Sequence, residues 1–150
     1  MTKTCLVGMA ALAIVTGIAN AENTVPAPTL DHAKVFKLAE APGRKFANGG
    51  GARDLILGTL KSGEAVRVHE SMQPEGAEPN PAHAIDHSEF IIVGEGTLEF
   101  SHDGVSEIAG PGDVVYVAQG TTHQVKNIGK GPIKYAIVSI GGDIGANAPK

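Results

Sequence analysis

Apolar side chains recur with a period of two through most of the chain after residue 50, in short runs broken by turn residues. Leu98 and Phe100 alternate with Glu99 and Ser101, the pattern of a strand with one buried face. Runs of this kind, rich in β-branched residues, cover 53–60, 65–72, 89–93, 97–102, 113–117, 123–127 and 133–140. In the last of them the apolar residues are nearly continuous, which suits a strand covered on both sides. Asp103-Gly104 predicts a two-residue hairpin, because both central positions of that turn need positive φ. Pro111-Gly112 likewise suits a turn. Beyond the N-terminal segment no stretch sustains a helical period, although 30–40 has room for a turn or two. Many short strands with frequent turns imply an all-β sandwich or barrel. Periodicity alone does not choose between the two.

The same alternation assigns individual side chains. Phe100 and Tyr116 fall in the core or on a cavity wall. His69 has the parity opposite to Val66 and Val68, so it belongs to the surface or to a cavity wall. Glu70 shares the valines' parity and reads as a solvated strand end. His32 and His102 lie beside turns and read as solvated. Gly49-Gly50-Gly51 lacks the Lys-Ser/Thr pair and the following helix of a phosphate loop, and reads as a turn.

The N-terminus departs from this pattern. Lys3 precedes an apolar run from Leu6 to Ile18, and Ala19-Asn20-Ala21 supplies the small-x-small sequence of a signal-peptidase site. The run is shorter than the roughly 20 residues of a membrane span. The expectation is a cleaved signal over residues 1–21 and a periplasmic or secreted protein with no membrane attachment afterwards. Cleavage would leave 129 of the 150 residues and remove Cys5, the single cysteine, so disulfides could not stabilise the mature chain. The expected organisation continues with a lead-in and first strand or strands over 22–52, a barrel over 53–142 and a tail over 143–150. A formal charge of −4 without a basic patch excludes nucleic acid as the expected partner. The apolar runs 53–60 and 133–140 suggest exposed edges that a homodimer would bury.

Candidate chemistry concentrates in His83-Ala-Ile-Asp-His-Ser-Glu89. The wider pattern is His83-x-Ile85-x3-Glu89-x6-Gly96, followed by Gly112-x5-Ala118-x-Gly120-x2-His123-x3-Asn127. Together these resemble the paired motifs of the cupin superfamily, whose fold is a double-stranded β-helix, or jelly-roll barrel. The resemblance spans about 64–142. It is specific for the fold and weak for the reaction, since many chemistries share this scaffold. It implies that His83, Glu89 and His123 occupy metal-ligand positions, a set resembling a 2-His-1-carboxylate site for one divalent transition metal ion: Fe, Mn, Zn, Ni or Cu.

Two positions depart from the motifs. Ala118 replaces a turn proline, and Ile85 replaces the second motif histidine, normally a ligand. His87 is a candidate to replace it, or to stand beside the site at the cavity mouth. Asn127 reads as satisfying backbone groups in a bend. The expected function is an exported, metal-binding cupin acting on a small molecule in its cavity, in the enzymatic case an oxidoreductase of dioxygenase type or an isomerase, with Glu89 as a catalytic base. The alternative is a non-catalytic small-molecule-binding module that has lost the metal. A storage role is a weaker third, because the composition is not amide-rich.

Overall fold

The computed structural model describes residues 27–142 and 144. The expected signal segment lies outside the described residues. Apart from one 3-10 turn, Leu38–Glu40, the regular structure is β. The strands are β1 (Thr29–Leu30), β2 (Gly43–Lys45), β3 (Gly51–Leu60), β4 (Ala65–Gln73), β5 (Ser88–Glu95), β6 (Leu98–His102), β7 (Val105–Ala109), β8 (Val114–Val117), β9 (His123–Asn127) and β10 (Ile133–Ile140).

They form two sheets. The larger runs β1-β3-β4-β10-β5-β8, with β2 also paired to β3, and the smaller runs β7-β6-β9. β10 pairs antiparallel with β4 on one side and β5 on the other. Ser139 thus stands between Arg67 and Glu89, Ile137 between His69 and Ile91, and Tyr135 between Ser71 and Val93. Paired residues share a face, so the odd-numbered side chains of three strands point inward together. His69, Ser71, Gln73, Glu89, Ile91, Val93, Ile133, Tyr135 and Ser139 are all buried.

The apolar core lies between the sheets. Ile91, Val93, Val117, Ile133 and Tyr135 from the larger sheet meet Leu98, Phe100 and Ala109 from the smaller one, with Ile85 joining from the loop before β5. The motif asparagine fastens one corner. Asn127 Nδ2 donates to the carbonyls of Gln73 (3.2 Å) and Gly131 (2.9 Å), while its Oδ1 accepts from Gly129 N at 3.0 Å. Gly96, at φ +80°, passes so close to β10 that a Cβ there would lie 2.6 Å from the Pro132 carbonyl oxygen. The Asp103-Gly104 hairpin forms with both residues at positive φ, 46° and 81°.

The structure corrects several expectations. β7 was not anticipated as a strand: four of its five residues are exposed, so its sequence carries no buried face to read. β10 is not an edge but the centre of the larger sheet, which removes one of the two edges invoked for a homodimer. β3 is partly covered by β1 and β2. Tyr116 is 58% exposed on the outer face of β8, where its ring packs beside Phe90 at 5.2 Å. The alternation there puts Val115 and Val117 inward, and Tyr116 takes the other parity. His102 is half-buried, with Nε2 3.0 Å from Glu107 and its ring over Phe100.

Leu98 is fully buried where the sheets meet. Leu98→Ala is expected to cost about 2–5 kcal/mol through lost transfer energy and a residual cavity. Urea unfolding checks this, and a loss below about 1 kcal/mol would contradict the assigned core.

Candidate functional site

The inward face of the strands leaves one end of the fold open as a cavity of about 380 Å³. His83, His87, Glu89 and His123, the four residues singled out from the sequence, all line it, together with Ile85. The loop carrying His83 is held by a backbone bridge: His83 N donates to His123 O at 3.1 Å and His123 N to His83 O at 3.0 Å. The bridge sets the two rings side by side, with centroids 4.8 Å apart. Each ring is oriented in the same way. His83 Nδ1 donates to the Pro81 carbonyl and His123 Nδ1 to the Thr121 carbonyl, both at 3.2 Å. A carbonyl cannot donate, so these bonds place a proton on Nδ1 of each ring, and in the neutral ring they leave Nε2 as the acceptor. His83 is exposed at the mouth, whereas His123 is buried against Phe100. Burial is the main cause that lowers the His123 pKa, so this ring is neutral at pH 7.

Glu89 is turned elsewhere. Its Oε1 accepts from Ser139 Oγ at 2.9 Å and lies 2.9 Å from His87 Nε2. His87 stands in a bend that passes beneath the end of β10. Gly142, at φ +58°, is packed there so tightly that a Cβ would lie 1.8 Å from the Asp86 carbonyl oxygen. Ile85 is 8% exposed and belongs to the apolar core. Its side chain occupies the place of the missing motif histidine.

Among the described residues, no three His, Cys, Asp or Glu side chains converge to hold one ion. The donors nominated by the motifs are divided into an imidazole pair and a Glu89–His87–Ser139 cluster. As placed, they do not fit the family's metal cage.

A family model for the cupin domain matches residues 68–140, from within β4 to the end of β10. The chain belongs to the cupin superfamily. No curated protein sequence matches it significantly. Solved structures agree on the fold. An RmlC-like cupin from Methanocaldococcus jannaschii with a double-stranded β-helix is 19% identical, with a TM-score of 0.59, covering 77% of this chain and 97% of that one. A predicted oxalate decarboxylase from Thermotoga maritima is 18% identical at a TM-score of 0.59, covering 71% and 98%. KdgF from Halomonas sp. is 16% identical at 0.61, covering 72% and 94%.

This cupin's cavity has a second polar region. On β4, Arg67, His69, Ser71 and Gln73 project inward. The sequence suggested that Val66 and Val68 mark the inner face. Instead Val66 is buried on the outer face, opposite Gly58, where Leu30 of β1 covers the sheet. The polar stripe at every second position of β4 was the available signal, and the valines masked it. Arg44, from β2, completes this region with no motif to announce it.

His69 is 7% exposed, and its Nδ1 has no hydrogen-bond partner. Burial, reinforced by the Arg67 guanidinium, lowers its pKa to about 4, so the ring is neutral at pH 7. An unfolded histidine titrates near 6.5, so the folded state binds fewer protons between these values. The stability contributed by neutral His69 is complete above pH 6.5 and is lost as pH falls toward 4. Between pH 7.5 and 5.0 the wild type is therefore expected to lose about 2 kcal/mol more than His69→Gln, by urea unfolding at both values. Equal losses would show that His69 is not buried in neutral form.

Proposed function

We propose that this cupin is a binding module for a small polar molecule, held in the cavity by hydrogen bonds and charge. The observation that carries this reading is the division of the donor set: Glu89 faces His87 and Ser139, and Ile85 fills the third imidazole position. The cavity offers polar groups for recognition, with Nε2 of His83 and His123 toward one side and the His69 ring toward the other. A volume of about 380 Å³ suits a small molecule and lies within the ordinary range of ligand sites. Export through residues 1–21 to the periplasm or outside belongs to this proposal. So does a homodimer, although on a different face: Phe90, Ile92, Val114 and Tyr116 form an exposed apolar strip on β5 and β8 that a second copy would cover.

The imidazole pair favours a second reading. Rings fixed through Nδ1 by backbone carbonyls, with Nε2 left over, are characteristic of histidines that ligate metals. A single Fe, Mn, Zn, Ni or Cu ion on His83, His123 and Glu89 would require Glu89 to leave its present partners. Oxidoreductase or isomerase activity, with Glu89 as base, goes with that reading.

Metal content separates the two. Protein exported with its own leader and purified without chelator or affinity tag is expected to carry well below one transition metal per chain by mass spectrometry. Near one per chain, falling with His83→Ala/His123→Ala, would favour the second reading and contradict the first.

A further inference from the structure

The region around Arg44 and Arg67 is built in a way that the imidazole end of the cavity does not explain. Asp54 on β3 is the cross-strand partner of His69 on β4. Arg67, two residues from His69 on the same face, reaches diagonally to Asp54 and places Nε 3.0 Å from Oδ1, with Nη2 on the same oxygen. Arg44 comes from the other side, and its Nη1 donates to Asp54 Oδ2 at 2.8 Å. One carboxylate therefore aligns two guanidinium groups, leaving one uncompensated positive charge. Both arginines line the cavity and Asp54 does not, so the carboxylate pins them from behind. Arg67 Nη1 and Arg44 Nε and Nη2 form no hydrogen bond among the described residues, which leaves donors in the planar geometry that matches a carboxylate. Both arginine side chains are mostly buried, at 19% exposure for Arg67 and 34% for Arg44. Surface screening accordingly takes less from the interaction than at an open site.

A second observation points independently to a ligand. His69 lies beside these guanidinium groups, is more than nine-tenths buried and lines the same cavity; its Nδ1 is sealed away without a partner, so the ring meets the cavity through Nε2, which makes no hydrogen bond among the described residues. A hydroxyl can serve either tautomer of the ring, since it both donates and accepts. The dimensions set the rest of the ligand. Arg67 and Glu89 flank Ser139 in adjacent register, which puts their strands two spacings, about 10 Å, apart. A molecule with its acid group at the arginines can therefore extend its other end toward His83, His123 and Glu89.

We propose that Arg44 and Arg67, aligned by Asp54, form a carboxylate subsite, that His69 Nε2 engages an oxygen on the adjacent carbon, and that the cavity's ligand is a small 2-hydroxy carboxylate. The proposal rests on the reading of the cavity as a small-molecule site and names the class of molecule it takes. The aligned guanidinium groups are a preorganised half of a charge-assisted pair, so little rotamer entropy is lost on binding.

The test compares acids with their neutral amides, which keep the hydroxyl and the shape but lose the charge. Lactate, mandelate and gluconate are titrated against lactamide, mandelamide and gluconamide by calorimetry, on wild type, Arg44→Met, Arg67→Met and His69→Phe. Circular dichroism and thermal unfolding confirm that each variant is folded, and Arg44→Gln or Arg67→Gln substitutes for a methionine variant that is not. At least one acid is expected to bind tenfold to a hundredfold more tightly than its amide. The arginine variants should abolish that difference while leaving amide affinity within about threefold, and His69→Phe should weaken acid and amide alike. Acids and amides binding equally well, or acid affinity unchanged in both arginine variants, would overturn the carboxylate subsite and leave the cavity reading standing. Binding of neither acid nor amide, at concentrations up to tens of millimolar, would overturn both.

Discussion

The pairing of β10 with both β4 and β5 is the constraint on which the rest of the molecule depends. It runs over eight residues on the β4 side and nearly as many on the other. A slip of one residue in either ladder would turn every inward side chain outward. In the observed register Arg67, Ser139 and Glu89 form one rung, and His69, Ile137 and Ile91 the next. The part of the cavity wall carried by the sheet is thus fixed by backbone hydrogen bonds, and the loop bearing His83, Ile85 and His87 completes it.

The same register divides the interior into an apolar half and a polar half. Toward one end Val93, Ile133 and Leu98 close the space between the sheets. Toward the other, the inward positions hold arginine, histidine, serine and glutamate, which cannot be packed dry without partners. Most have one: Ser139 serves Glu89, Asp54 serves two arginines, and Gln73 Nε2 reaches the Val125 carbonyl at 3.2 Å and the Tyr135 hydroxyl at 3.3 Å. Among the described residues the exception is His69, whose Nδ1 is sealed in the wall without a partner. Burial raises the Tyr135 pKa as it lowers that of His69, so both side chains stay neutral at pH 7 and the fixed charge near the mouth comes from the arginines and carboxylates.

Much of this was legible in the sequence, for identifiable reasons. The bounds of β9 and β10 are readable to the residue because turn residues flank them, Gly120 before β9, Gly129 to Pro132 between the two and Gly141-Gly142 after β10. The cupin motifs located His83, Glu89 and His123 because their spacing is tied to the hairpins that bring them to one cavity. Ile85 was recognised as an apolar intruder and does fill its place in the core. What the motifs could not convey was direction. Glu89 turns to His87 and Ser139, and its choice depends on a serine fifty residues away. The arginine subsite was invisible for a similar reason: β2 is three residues long and Arg44 meets Arg67 only through Asp54 on a third strand. Tyr116 was misplaced because an aromatic residue in an alternating strand was taken to be internal, whereas the outer face of an edge strand holds it here.

The central claim is that His83 and His123 present two oriented Nε2 atoms to a cavity without forming a metal cage. Long-range proton–nitrogen NMR of the imidazole rings, before and after one equivalent of zinc, tests it most directly. The account predicts that the neutral form of each ring is the Nδ1–H tautomer, and no joint movement of their Nε2 resonances on addition of the ion. A joint shift of both Nε2 resonances to metal-bound positions at one equivalent, together with release of His87 from Glu89, would contradict it.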